Sequence, residues 1–213
     1  MNKEQLLNSF KDSIDRNFVE RQGYFDFTLE IFSEFNTLFY EINKCLILEL
    51  DRAAITLTNH LVEQLLKFAL IKNYTGIDHI PYEKWNDIFS KANEKFGSIS
   101  FGNAIELCKK QGLIEEKEKA ILFDRIREII RNGFSHSDFS RILSDLSDDD
   151  IDLFNTTIDN SSEIKKIDVK HKLIPIFQAI NAENFAKGIA KIYFDFIYNL
   201  TFKIEKRLIE KHL

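Results

Sequence analysis

Proline and glycine are scarce in this 213-residue chain, with two and seven copies respectively. A strand-and-turn protein needs breakers every roughly 8–12 residues, so the long uninterrupted stretches of mixed apolar and charged residues point to helices. Cysteine is scarce as well. Cys45 and Cys108 are the only two, far apart and each inside a stretch of helical pattern. That arrangement excludes a disulfide framework and a zinc ligand set and leaves buried free thiols as the reading. Positive charge is not in excess: 29 Lys and Arg face 34 Asp and Glu, a formal charge of −5. A broad basic field of the kind that binds DNA nonspecifically is therefore excluded, and any nucleic-acid contact must rest on a local patch. Long apolar runs are missing too. The first residues, "MNKEQLLNSFKDSIDRNF", are interrupted by charge every few positions, so neither a signal peptide nor a membrane span is read there, and a cytoplasmic location is expected.

What is present is ordinary for a folded protein. Apolar residues make up 44% and charged residues 30%, which excludes wholesale disorder. The length suits one elaborated domain spanning residues 1–213. The 20 phenylalanines, most at helical spacing, are read as core.

The expected fold is an all-α, up-and-down helical bundle. Residues 1–23 form an arm helix with Leu6, Phe10, Ile14 and Phe18 in one apolar stripe. Two helices follow, at 25–49 and 52–73, dividing at "LELDRA". The second carries Leu57, Leu61, Leu65 and Phe68 beside Val62, Leu66 and Ala69, a face wide enough for a bundle interior. After loop chemistry around Gly76 and Pro81, "YEKWNDIFSKANEKFG" restarts a short helix. Another opens near Ser100 and stops at Gly112. From Glu115, "EEKEKAILFDRIREIIRNG" is amphipathic, with Leu122, Ile126, Ile129 and Ile130 on its apolar face and Gly133 at its end. Residues 144–170 lose the periodicity and hold six aspartates from Asp145 to Asp159 with no Lys or Arg among them. They read as an acidic insertion, partly mobile. A final helix sets Phe185, Ile189, Ile192, Phe196, Leu200, Ile204 and Leu208 three and four apart.

The chemistry concentrates in "IIRNGFSHSD", residues 129–138. On an uninterrupted helix Arg131 and His136 would point about 140° apart; a break at Gly133 lets both turn toward one point. Arginine offers a permanently charged planar fork for phosphate oxygens, and histidine titrates near neutral pH. Together they suffice for RNA cleavage without metal, with histidine moving a proton and arginine stabilising charge on the phosphorus oxygens. One histidine cannot easily be acid and base at once, so a two-fold dimer would supply the second copy. The residues leave a plainer alternative open, in which both cations only cap a helix C-terminus.

"RNGFSH" resembles the Arg-x4-His motif of the HEPN superfamily, including the polar residue directly after the arginine. "TNHLVEQLLKFALIKN" looks like that family's second core helix, and "FGNAIELCKKQGLI" followed by "RIREIIRNGFSH" resembles its approach to the motif. The similarity covers roughly residues 25–140 and the final helix. It implies an all-α homodimer acting as a metal-independent endoribonuclease without cofactor, on single-stranded or loop RNA, in toxin–antitoxin, CRISPR-linked or phage-defence settings, with an antitoxin or defence-system partner. Arg131 and His136 would then be catalytic and Asn132 would contact substrate. Where one toxin branch continues with a tyrosine two residues after the histidine, this chain has Asp138, which speaks against regulation through a tyrosine there. The alternative within the same resemblance is a non-catalytic module that binds nucleotide, RNA or a partner protein.

Other candidates carry less. Arg127 precedes Arg131 by four residues and either widens a basic groove or pairs with a neighbouring glutamate. Ser135 is adjacent to His136, where side chains seldom face each other. Phe134 and Phe139 either stack on a base or anchor the loop. His60, His79 and His171 lack metal-ligand spacing, and Asp148 to Asp150 lack the glycine and ordered spacing of a calcium loop. No metal site is expected.

Overall fold

A single central helix organises the chain. The structure, a computed structural model, describes residues 1–131, 151–156, 162–167 and 174–213, and for residues 128, 129, 131, 151–156 and 162–167 the backbone alone. In chain order the helices are α1 (Lys3–Arg21), α2 (Asn36–Ile47), α3 (Asp51–Thr75), α4 (Trp85–Phe96), α5 (Phe101–Lys110), α6 (Glu116–Ala120), a π-helix (Ile121–Arg131) and α7 (Pro175–His212). The all-α bundle expected from breaker scarcity is what forms. Its one exception among the described residues is an antiparallel hairpin of β1 (Ile151–Thr156) and β2 (Ser162–Ile167), in register Ile151↔Ile167 through Thr156↔Ser162. That hairpin occupies part of the acidic insertion, for which only lost periodicity was expected; the remainder of 144–170 lies outside the described residues.

α3 is the axis because it is apolar on most of its circumference. Ala54, Ile55, Leu61, Val62, Leu65, Leu66, Ala69 and Leu70 are fully buried, and α2, α4, α5 and α7 all pack on it. Its polar interior positions are satisfied locally or across the α3–α7 contact. Thr58 Oγ1 donates to Ala54 O at 2.7 Å, and Tyr193 OH donates to Asn59 Oδ1 at 2.8 Å. A buried hydroxyl left without a partner would cost about 1–3 kcal/mol.

α7 is longer than expected. Pro175 starts it at a position where proline's missing N–H costs nothing, and 38 residues at about 1.5 Å each give a rod of roughly 57 Å. Its N-terminal half does not bury the large residues the spacing singled out. Ala182, Ala186 and Ala190 face inward, while Ile192 is 64% exposed and Phe185, Ile189 and Phe196 are half-buried. Small side chains let the helix lie close to its neighbours, and the aromatic core resumes at Tyr193, Phe194 and Ile197.

Residues 25–35 hold no α-helix, contrary to the expected helix from 25. Two 3-10 turns, at Gln22–Phe25 and Ser33–Phe35, lie between α1 and α2. The cause is distant in sequence: the buried Glu205 on α7 accepts from the backbone N–H groups of Ile31 and, at 3.1 Å, Phe32. These N–H groups are thereby diverted from a helical ladder, and Phe32 and Phe35 drop into the core. The expected division at "LELDRA" occurs, with Glu49 in the left-handed region at φ 59°.

The arm is inverted relative to its hydrophobic stripe. Ser13, Asn17 and Arg21 are its buried residues, whereas Ile14 and Phe18 are 41% and 43% exposed. Arg21 is 1% exposed; its Nε donates to Asn43 Oδ1 at 2.9 Å, its Nη1 pairs with Asp195 at 2.8 Å, and its guanidinium lies 3.9 Å from the Tyr24 ring centre. Glu49 receives Arg16 at 2.8 Å and Asn17 at 3.1 Å, so polar contacts, not apolar burial, attach this helix.

Candidate functional site

The helix that leads into "RNGFSH" is seated by local sequence at its start. Glu115 and Glu118 form a reciprocal capping box, with Glu115 N donating to Glu118 Oε2 at 2.8 Å. Glu118, 5% exposed, is then gripped from α7. Arg207 Nη1 donates to its Oε2 at 2.6 Å and Nη2 to its Oε1 at 3.1 Å, the planar fork matching the carboxylate. The remaining Arg207 donors reach Leu113 O at 3.0 Å and Glu115 Oε1 at 2.9 Å. Burial alone would raise the Glu118 carboxyl, but the Arg207 hydrogen bonds and charge, with Lys203 at 3.4 Å, hold it below its usual value. Lys119 pairs with Glu106 at 2.9 Å and Lys109 with Glu116 at 3.4 Å, tying the same turn to α5.

Beyond Ala120 the backbone widens into a π-helix through Arg131. Such helices, bonded between residues five apart, usually occur as single-turn bulges and often at functional sites. Eleven consecutive residues in this form are a departure that the sequence pattern, equally suited to an α-helix, did not signal. Leu122, Ile126 and Ile130 bury at 0%, 2% and 5% exposure, so three of the four positions expected on the apolar face anchor the helix to the core. Asp124 and Arg125 face outward.

Arg127 is half-buried rather than projecting freely. Its guanidinium lies over the Phe123 ring, 4.4 Å from the centre, and against α5, where a Cβ added at Gly102 would sit 3.4 Å from Cζ. Arg131 lies on the π-helix backbone as its last described residue. Asn132, Gly133, Phe134, Ser135, His136, Asp138 and Phe139 lie outside the described residues, and so do Asp148 to Asp150 and His171. The structure thus places Arg127 and the backbone of Arg131 on one helix.

The local charge is nearly balanced, with seven Lys and Arg against six Asp and Glu between residues 101 and 131. Several of these cations are already paired, as above, so long-range attraction of a polyanion is weak here and contact must come from individual side chains. Of the other histidines, His60 is exposed and shares a 2.9 Å hydrogen bond with Gln64. Cys108 is buried with its thiol raised by desolvation and directed at Leu66 O, and Cys45 is half-buried; neither is in a disulfide. Among the described residues, no helix is long and apolar enough to cross a membrane.

Sequence reasoning missed the Glu118–Arg207 grip and the Glu205 anchor. Nothing near residues 205–207 marks their partners about 90 and 170 positions away. Compared with known proteins, the chain matches no family model, no curated protein and no solved structure.

Proposed function

We propose that this protein is a metal-independent endoribonuclease of the HEPN type, in which Arg131 and His136 of two copies form one site. The observation that carries the reading is the motif itself, whose Arg131 stands on a core-anchored helix: Leu122, Ile126 and Ile130 are buried, and the described helix runs through Arg131. A firm seat of this kind is what positional catalysis needs. In the reaction, one histidine takes the proton of a 2′-hydroxyl as its oxygen attacks the adjacent phosphorus. The other gives a proton to the departing 5′-oxygen, while the arginines stabilise charge on the non-bridging oxygens. The products are a 2′,3′-cyclic phosphate and a 5′-hydroxyl, so atoms and protons balance.

A second reading, a HEPN-like binding or assembly module without turnover, is favoured by one observation: the cation nearest Arg131 on the described helix, Arg127, is committed to Phe123 and α5. Purified protein incubated with single-stranded and hairpin RNA in chelator separates the two. Cleavage lost in both Arg131→Ala and His136→Ala supports the enzyme. Saturable RNA binding that weakens in Arg131→Ala with no product at any time supports the module.

A further inference from the structure

A cavity of about 680 Å³ opens on the side of the bundle between the 30–34 segment, the end of α3, the 76–80 loop and α4. Its size falls within the range of small-molecule sites, and its wall has a definite chemistry. Trp85 and Phe89 meet edge-to-face at 6.2 Å, and the Trp85 indole is held in place by donating to Ile80 O at 2.9 Å. Three carboxylates, Glu30, Glu34 and Asp78, line it against one ammonium, Lys72.

Lys72 shows what the wall stabilises. Its Nζ donates to Ile31 O at 2.6 Å, pairs with Glu34 at 3.2 Å and lies 5.7 Å from the Phe32 ring centre. The cavity wall thus already holds an ammonium by a carbonyl and a carboxylate. Glu30 and Asp78 line the same cavity as Trp85 and Phe89 and make no ion pair with any described residue. Aromatic faces attract cations, tryptophan most strongly, and the uncompensated carboxylates repel phosphates and other anions.

We propose that this cavity binds a small organic cation, an aliphatic amine or diamine whose ammonium sits against Trp85 between Glu30 and Asp78 while its methylene body covers the apolar wall. This is independent of the ribonuclease reading, since none of the described residues of the π-helix lines the cavity. Trp85 is the only tryptophan, so intrinsic fluorescence reports the site directly.

The test titrates the full chain at constant ionic strength with 1,6-diaminohexane, 1,6-hexanediol and adipate, three probes of the same length that are cationic, neutral and anionic. The proposal expects saturable fluorescence change with the diamine alone. Glu30→Gln with Asp78→Asn should weaken it about tenfold, and Trp85→Leu by a similar factor when followed by calorimetry, the exposed positions leaving the fold intact by circular dichroism. An absence of saturation up to about 10 mM diamine, equal response to the diol, tighter binding of adipate, or unchanged affinity in the carboxamide variant would each overturn it.

Discussion

Replacing Arg207 by alanine tests whether the grip on Glu118 holds the site helix to the bundle. Arg207 and Glu118 are 18% and 6% exposed at their side chains, joined by two hydrogen bonds at 2.6 and 3.1 Å. Removing one partner of a buried pair costs about 3–5 kcal/mol because the other charge is left uncompensated. Here Lys203 remains 3.4 Å from Glu118, though it is 59% exposed, and the lost contact to the exposed Glu115 is worth little. About 3 kcal/mol is therefore expected for Arg207→Ala. For a chain of this length about 2–4 °C accompanies each kcal/mol, so thermal unfolding followed by circular dichroism should shift down by about 6–12 °C. Hydrogen exchange should accelerate first in residues 116–131. The double variant Glu118→Leu with Arg207→Met, which removes both charges and keeps apolar volume, should be less damaging than Arg207→Ala alone. A shift under about 2 °C, or a double variant as unstable as the sum of its parts, would refute the reasoning.

Four further outcomes follow from single positions. Glu118 has its folded pKa held below the usual 4.5, so its contribution is fully present above the unfolded value and is lost as pH falls through the lower folded value. Glu118→Gln should therefore flatten the acid limb of stability below about pH 4.5, measured by denaturant unfolding from pH 6 to 3. Gly112 sits at φ +73° in open space, so Gly112→Ala should cost about 1–2 kcal/mol from backbone conformation alone; Gly23, also in open space but without that conformation, should gain up to about 1 kcal/mol on the same change. Arg21→Ala leaves Asn43 and Asp195 without their donor and should loosen the arm, seen as faster tryptic cleavage at Lys11 and Arg16.

Legibility in the sequence divided along physical lines. α5 was readable at both ends because its stops are chemical: Ser100 accepts from Asn103 N at 3.3 Å and Gly112 takes a positive φ. α3 was readable because its apolar residues crowd one stretch. On α7 the spacing held for Leu200, Ile204 and Leu208, which are buried, but its N-terminal part was misread, since periodicity weighs large residues and the buried stripe there is alanine. The arm misled in the opposite sense. Its apolar stripe is conspicuous, yet Arg21 and Asn17 make the attachment through partners on α2, α7 and the Glu49 turn. Long-range pairs of this type leave no local trace, and the same holds for Glu205, which undoes the helix expected across residues 25–35. At the site, the helix leading to the motif was legible from "RIREIIR", while Asn132 to His136 lie outside the described residues; the π-helical widening was not legible, because burial of Leu122, Ile126 and Ile130 satisfies an α-helix equally well.

The composite site is tested most directly with heterodimers. Copies carrying two different affinity tags, one wild type and one His136→Ala, are co-purified and assayed for RNA cleavage in chelator beside the wild-type dimer. If two histidines serve one phosphate, the mixed dimer loses at least about tenfold, since proton transfer by a positioned side chain contributes typically 10²–10⁴-fold. Half the wild-type rate in the mixed dimer, or full activity from a monomer, would contradict the account.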